Sequence, residues 1–143
     1  MAEVADVRRR VLITIDKARQ AAADRRARAD VARELGQEFI RLTAVPVVQQ
    51  VVSVLKAEGF DYRLSTPEGA VRLVSERNRE DFIDLTLDAT QDPVTIMTEV
   101  SCVRGRRVST RERPLQDGLE IGQLTEAHVL DFLLESLPVF VDR

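Results

Sequence analysis

"FDYRLSTPEGAVRLVSERNREDFIDLTLDATQDPVTIMTEVSCVRGRRVSTRERP", residues 60–114, changes the hydrophobic period of this chain from helical to alternating. Apolar and polar residues alternate in five short runs, which are FDYRLS, AVRLVSE, FIDLTLDA, VTIMTEVSCV and RVSTRER. Turn-forming sequences such as TPEG and TQDP lie between them. Alternation with a period of two, interrupted by turns, is typical of β-strands. The stretch therefore predicts a five-stranded antiparallel meander.

Folding each pair of runs about its turn predicts which residues lie opposite one another. The fold about TPEG places Leu64 opposite Val71, and the fold about TQDP places Leu87 opposite Ile96. A three-residue loop of Arg104–Arg106 places Cys102 opposite Val108. A shift of one residue would exchange the two faces of a strand, so the agreement of four turns is informative. We expect one apolar face, covered by helices (the helix face), and one uncovered face (the open face).

The N-terminal segment, residues 3–43, has apolar residues at helical spacing and a central stretch rich in Ala and Arg. An unbroken helix of this length would extend about 62 Å. A compact domain of this size has a radius of gyration of only about 14–15 Å. We therefore expect residues 1–43 to form either a helical hairpin, broken in the Ala/Arg stretch or at Gly36, or an arm that dimerises.

The remaining residues, 44–143, are predicted to form one globular domain. TAVPVVQQVVSVLKAEGF reads as a second helix with Pro46 in its first turn, where a missing N–H is harmless. LTEAHVLDFLLESLP reads as a last helix with Thr125 as its N-cap. The expected fold class is α+β, with a long N-terminal helical segment, a second helix, the meander and a C-terminal helix. The helices are expected to cover one sheet face.

Composition places the chain among folded proteins, since 44% of its 143 residues are hydrophobic and 31% are charged. A single cysteine excludes an intramolecular disulfide and suits a reducing compartment. The apolar run VLITI is shorter than the roughly 7–15 residues of a signal-peptide core. No apolar run approaches the roughly 20 residues of a membrane span. We expect a cytoplasmic protein without a membrane partner.

The motifs of common enzymes and cofactor sites do not occur in the sequence, and a single His and a single Cys cannot form an ordinary zinc site. Cys102 and His128 are the one candidate nucleophile–base pair. The predicted register places Cys102 on the helix face, where a thiol behaves as a small hydrophobic group. We expect no catalytic residues, no cofactor and no bound metal.

Two carboxylates, Asp84 and Glu99, are predicted to lie directly opposite each other on the open face. Like charges so placed destabilise a sheet unless they are compensated or used. They would serve as an acid/base pair, hold Mg²⁺ or Ca²⁺, or belong to a solvated charge lattice with Arg72 and Arg111. The predicted row across the five strands is Asp61, Val74, Asp84, Glu99 and Arg111. A small enzyme or cation-binding protein centred on the pair is one alternative function.

The last strand is strongly basic, with five arginines and one acidic residue between positions 104 and 114. Charged side chains on an edge strand prevent edge-to-edge aggregation, and we favour this interpretation. The alternatives are a nucleic-acid-associated regulator that uses these arginines and a kinase site at Ser109. With two apolar residues of the open face, the arginines form the predicted partner surface: Phe82, Met97, Arg104, Arg106, Arg107, Arg111 and Arg113.

These features predict a non-catalytic protein-interaction domain, of adaptor or chaperone-like type, that dimerises through its N-terminal helices. A protein partner is expected rather than nucleic acid, because the whole chain is acidic with a net charge of −3. The runs AVPVVQQVVSVLKAEGF and EDFIDLTLDA resemble those of small bacterial proteins. The helix–meander–helix layout resembles small secretion-chaperone and adaptor folds, and that resemblance implies an interaction role.

Overall fold

The computed structural model describes residues 3–142 and has the predicted α+β fold. Its sheet is antiparallel with the strand order β1-β2-β3-β4-β5. One hydrophobic core lies between the helices and a single face of the sheet. The elements are α1 (Val4–Phe39), a π-helical turn (Ile40–Ala44), α2 (Val45–Ala57), β1 (Tyr62–Ser65), β2 (Ala70–Ser75), β3 (Phe82–Asp88), β4 (Thr95–Arg104), β5 (Arg107–Pro114), a short 3₁₀ helix (Ile121–Gln123), α3 (Glu126–Ser136) and α4 (Pro138–Val141).

The N-terminal segment is one helix, so the expected hairpin with a break in the Ala/Arg stretch or at Gly36 is wrong. Residues Val4–Ala57 form a continuous helical run of 54 residues, which extends about 81 Å at 1.5 Å per residue. Gly36 allows close packing instead, because a Cβ at that position would collide with Leu87 and lie 3.3 Å from Ile121. The glycine therefore marks where α1 meets the sheet.

The π-helical turn keeps α1 and α2 on the same side of the sheet. Buried residues recur at every fourth position through this region, at Gly36, Ile40, Ala44, Val48 and Val52. An α-helix has 3.6 residues per turn, so a strict repeat of four would wind away from the core. In the π turn the Val45 N–H donates to the Ile40 carbonyl, five residues back. That turn takes in one extra residue and brings the repeat back towards the core.

Pro46 lies in the first turn of α2, as predicted, but the chain before it remains helical. A proline within an α-helix removes one hydrogen bond and clashes with the carbonyl four residues earlier. The wider π turn directly before Pro46 provides the local change in geometry that lets the run continue.

One stretch of the long helical run is apolar enough to raise the question of a membrane span. Within Val4–Ala57, an 18-residue window has a mean hydropathy of 1.3, and 44% of that window is buried inside the structure. Length and composition alone allow such a helix to cross a membrane, but buried core helices meet the same criterion. The buried side chains of α2 are Val47, Val48, Val52 and Leu55. The expected lack of a membrane partner stays a prediction.

Three of the four strand pairings place the predicted residues on the predicted faces. The β3–β4 register is confirmed, with Leu87 opposite Ile96. The β1–β2 register differs by two residues, since Leu64 lies opposite Leu73 rather than Val71. The turn there is centred one residue later, because Gly69 takes a φ of +69° that glycine adopts at little cost. In the β2–β3 pair the alternation predicts Val71 opposite Leu87, but Val71 lies opposite Leu85, which is again a difference of two residues. A shift of two preserves the faces.

The β4–β5 register differs by one residue, so the predicted faces of β5 are wrong. Arg104 pairs with Arg107 across a two-residue turn, not a three-residue loop. Gly105 is the first residue of that turn and has a φ of +63°, as a type II′ hairpin requires. Arg111 consequently lies opposite Val100, and Arg113 opposite Thr98, on the helix face.

Candidate interaction surfaces

The N-terminal part of α1 extends away from the core with a row of exposed apolar side chains. No residue from Val4 to Leu35 is buried. At about 100° per residue, six residues fall on one side of the helix. We call this row the arm stripe: Val4, Val7, Val11, Ile15, Ala18 and Ala22. The Val11 side chain is 50% exposed and that of Val7 is 47% exposed. The same side of α1 continues into Gly36 and Ile40, which face the sheet.

The open face carries a row of four charged residues, one from each of strands β2 to β5. Asp84 lies opposite Arg72 on one side and opposite Glu99 on the other, and Glu99 lies opposite Glu112. Asp84 and Glu99 therefore lie opposite each other as the β3–β4 register predicted, and their use as a functional pair stays a prediction. The rest of the predicted row is wrong: Arg72 takes the place of Val74 beside Asp84, and Glu112 takes the place of Arg111.

Arg72 compensates the buried end of this row. Its Nη2 donates to Oδ2 of Asp84 at 2.9 Å, and its guanidinium lies 4.0 Å from the ring centroid of Phe82. Asp84 is only 6% exposed. In the part of the chain that the structure describes, its Oδ1 and the Nε of Arg72 are buried without a hydrogen-bond partner. The ion pair is thus incompletely hydrogen-bonded, which raises its cost in a low-dielectric site.

The carboxyl of Glu99 has a raised pKa. Burial raises its pKa first, and the neighbouring charges of Glu112 and Asp84 raise it further, whereas Arg72 lowers it. Among residues 3–142, no group of three or more His, Cys, Asp and Glu side chains is placed to hold a metal ion. The arrangement is a crowded carboxylate pair beside one cation, suited to holding a proton or meeting a positively charged group.

The arginines of the predicted partner surface are separated from its apolar members. Phe82 and Met97 lie on the open face. The arginines on β4 and β5 lie on the helix face, at Arg104, Arg107, Arg111 and Arg113, while Arg106 is in the turn. The predicted contact between Arg111 and Glu99 is therefore absent, since they project from opposite faces. In the charged row the sequence analysis missed Glu112, whose position depends on the length of the preceding turn.

A cleft of 430 Å³ lies between β5 and the C-terminal helices. Its lining includes Arg111, Arg113, Val100, Phe132 and Val139. Arg113 is engaged there, because its Nη2 donates to Oε2 of Glu135 at 2.9 Å and its guanidinium lies 5.6 Å from the Phe132 ring. Arg111 forms no ion pair with any residue of the described chain. The cleft therefore combines an available cation with an apolar lining.

Cys102 and His128 are held by different parts of the structure. Cys102 is buried, and its Sγ lies 3.9 Å from the carbonyl oxygen of Val139. The Nδ1 of His128 accepts a hydrogen bond of 2.9 Å from the backbone N–H of Thr125, the predicted N-cap of α3. His128 thus has a structural role at the start of α3.

No family model, curated protein or solved structure matches this chain. The surfaces described above are therefore the basis for assigning a function.

Proposed function

We propose that this chain is a non-catalytic protein-interaction module that dimerises through the arm stripe of α1. The observation that carries the proposal is the unbroken helix with its row of exposed apolar residues. Val4, Val7, Val11 and Ile15 are each at least 38% exposed, although they lie on one side of one helix. Contiguous exposed apolar surface of this kind is typical of sites that bind another protein.

The arm is long enough to form a specific interface with a second copy. An interface of standard size takes roughly 20–30 residues from each partner. From Ala27 onward α1 lies against the segments around Pro93 and Ile121, so residues 4–26 are the free part of the helix; they extend about 34 Å, and a pair of such arms approaches the small end of this size range. Two arms that pack stripe to stripe would bury the apolar residues that a single chain exposes. A second copy is therefore the simplest occupant of the stripe.

The charge of the arm gives this dimer a recognisable dependence on salt. Residues 4–30 contain eight basic and four acidic residues, so each arm carries a net charge of +4. Two such arms repel each other, and salt screens repulsion between exposed charges. Association through the stripe should therefore strengthen as salt is raised, whereas association through opposite charges would weaken.

Sedimentation equilibrium of the full chain at micromolar concentration tests the proposal, with two single variants as a matched pair. Val11→Asp places a charge in the arm stripe and is expected to give a monomer. Ile13→Asp places the same charge on the opposite side of the helix, at a residue that is 47% exposed, and is expected to leave the dimer intact. A monomeric wild-type protein, or equal effects of the two variants, would show that the stripe is not the dimer interface.

A further inference from the structure

We infer that the free edge of β5 binds an extended acidic peptide as a sixth strand of the sheet. This inference rests on the proposed function as a protein-interaction module and names the partner of its globular part. Three observations carry it: the unpaired backbone of β5, the spacing of its arginines and the adjoining cleft.

The outer edge of β5 presents backbone groups that no neighbouring strand pairs. Within the described chain β5 pairs only with β4, and it is the last strand of the sheet. Hydrogen-bonded residues alternate along an antiparallel strand. Since the N–H of Leu115 donates to Ile96, the inward-bonded positions are the odd-numbered ones. The backbone groups of Val108, Thr110 and Glu112 therefore point away from β4, where a peptide strand would meet them.

The helix-face side chains of β5 are arranged to recognise acidic side chains on such a strand. Arg107 and Arg111 are exposed, and Ser109 lies between them. Alternate residues of a strand are about 6.8 Å apart, which is also the spacing of alternate side chains on an added strand. Arg104 lies opposite Arg107, and two like charges so placed repel each other unless an anion lies between them. Arg107 and Arg111 are four residues apart, or about 13.6 Å, so two glutamates four residues apart on the peptide would meet them, with the position between the glutamates opposite Ser109.

The cleft beside β5 adds an apolar position to this recognition. It opens next to Arg111 and is lined by Val100, Phe132 and Val139. An apolar side chain of the peptide, on the same face as the glutamates, would enter it. The expected ligand is therefore an extended segment in which acidic residues alternate with small polar ones and one apolar residue replaces a central acidic one.

The arginines of β5 have two other interpretations, nucleic-acid binding and protection of the edge strand against aggregation. Nucleic acid would use the same charges, but residues 104–114 contain no aromatic side chain on which bases stack. Nucleic acid would also leave the backbone of Thr110 unused. A purely protective edge would bind neither ligand. Only a peptide strand needs both the arginines and the outward backbone groups.

Fluorescence anisotropy with the full-length protein at low ionic strength tests the inference. The probe is a labelled nine-residue peptide in which glutamate alternates with threonine and valine replaces the central glutamate. The matched control replaces one threonine by proline, which keeps the charge but prevents strand pairing. We expect saturable binding of the probe and its loss with the proline peptide. Absence of probe binding, or equal binding of the two peptides, would overturn the inference.

Variants of the protein locate the binding to β5. Arg107→Gln combined with Arg111→Gln is expected to weaken binding roughly fivefold or more, because two exposed charge pairs are lost. Arg63→Gln on β1 removes the same charge from the far side of the sheet and is expected to have no effect. Thr110→Pro removes an outward N–H and is expected to abolish binding. If Thr110→Pro unfolds the hairpin, as seen by circular dichroism, the proline peptide decides the question instead.

Two experiments distinguish peptide binding at β5 from nucleic-acid binding and from dimerisation through the arm stripe. A single-stranded oligonucleotide that displaces the probe, and that Thr110→Pro protein still binds, would show that β5 binds nucleic acid and not a peptide strand. The Val11→Asp variant separates the inference from the dimer. If a monomeric protein binds the probe, the β5 site is supported independently of the arm-stripe dimer. If a dimeric protein does not bind the probe, the β5 inference is wrong and the proposed dimer is unaffected.

Discussion

Glu99 on β4 lies directly opposite Glu112 on β5, and Asp84 lies opposite Glu99 on its other side. One of these carboxyls is therefore flanked by like charge on both neighbouring strands. Arg72 on β2 is bound to Asp84 and is three strands away from Glu112 on β5. The charge of Asp84 is compensated by Arg72, whereas Glu99 lies between two other carboxylates. We therefore expect substitutions of Asp84 and Glu99 to have opposite effects on stability.

Glu99→Gln is expected to raise stability at neutral pH and to change it little near pH 4. The pKa of Glu99 is raised in the folded protein by burial, Glu112 and Asp84. A raised carboxyl pKa favours the folded state below the unfolded value and is a cost once pH rises through the folded value. Glutamine stays neutral throughout, and removing cross-strand repulsion is worth about 0.2–1 kcal/mol. Urea unfolding at the two pH values measures the difference.

The control for Glu99→Gln is Glu68→Gln, which removes a carboxylate from the exposed turn between β1 and β2. It should leave stability nearly unchanged at both pH values. A loss of stability in Glu99→Gln at neutral pH would mean that the charged form is used by the fold.

Asp84→Asn is expected to have the opposite effect, a loss of about 1–3 kcal/mol at neutral pH. Asp84 is nearly buried and accepts a charge-assisted bond from Arg72, so the amide leaves a partly buried guanidinium without its counter-charge. Urea unfolding at neutral pH reports the change. If Asp84→Asn and Glu99→Gln stabilise the protein alike, the whole row is merely tolerated.

Gly105→Ala is expected to destabilise the β4–β5 hairpin by about 1 kcal/mol or more. Gly105 has a φ of +63°, a conformation that is strained for a residue with a Cβ. Gly122→Ala is the matched control, because its φ is not positive and the nearest atom to an added Cβ is 3.9 Å away. Thermal unfolding of the two variants should separate them, and an equal shift would argue against the two-residue turn.

Gly36→Leu is expected to destabilise the protein by about 1–3 kcal/mol through overpacking. The site is buried against Leu87 and Ile121, so a large side chain must push α1 away from the sheet. Gln37→Leu, at the exposed neighbouring position, should be nearly neutral. Chemical denaturation of both variants measures the difference, and tolerance of leucine at position 36 would show that this contact is loose.

The strands were predictable because burial imposes a period that the sequence displays. In β3 and β4, buried residues such as Ile83 and Ile96 alternate with polar ones, and only one register satisfies both strands. Strand β5 has no such constraint, because seven of its eight residues are exposed. Its faces depended on the choice between a two-residue and a three-residue turn. Glycine at the first of the two turn positions, Gly105–Arg106, was the local signal for the shorter turn, because a type II′ hairpin has glycine there.

The candidate sites were predictable where they lie on buried strands and not where they lie on the exposed strand β5. The Asp84–Glu99 pair was predicted because it lies between two strands of known register, whereas Glu112 and the face of Arg111 depended on β5. The course of α1 was not predictable from compactness, since a helix with strong intrinsic propensity continues where no residue interrupts it. The fourfold repeat from Gly36 to Val52 was visible in the sequence and is the signal for the π turn.

An unbroken helix joins the core to the arm stripe. The number of residues in the Ala/Arg stretch therefore sets both the distance of the arm stripe from the core and the direction in which the stripe faces. Each residue added to or removed from the Ala/Arg stretch would move the stripe about 1.5 Å along the axis and turn it by about 100°. A change of seven residues nearly restores its direction, whereas a change of two turns it almost to the opposite side. Sequence length in this stretch is thus expected to be constrained more tightly than residue type.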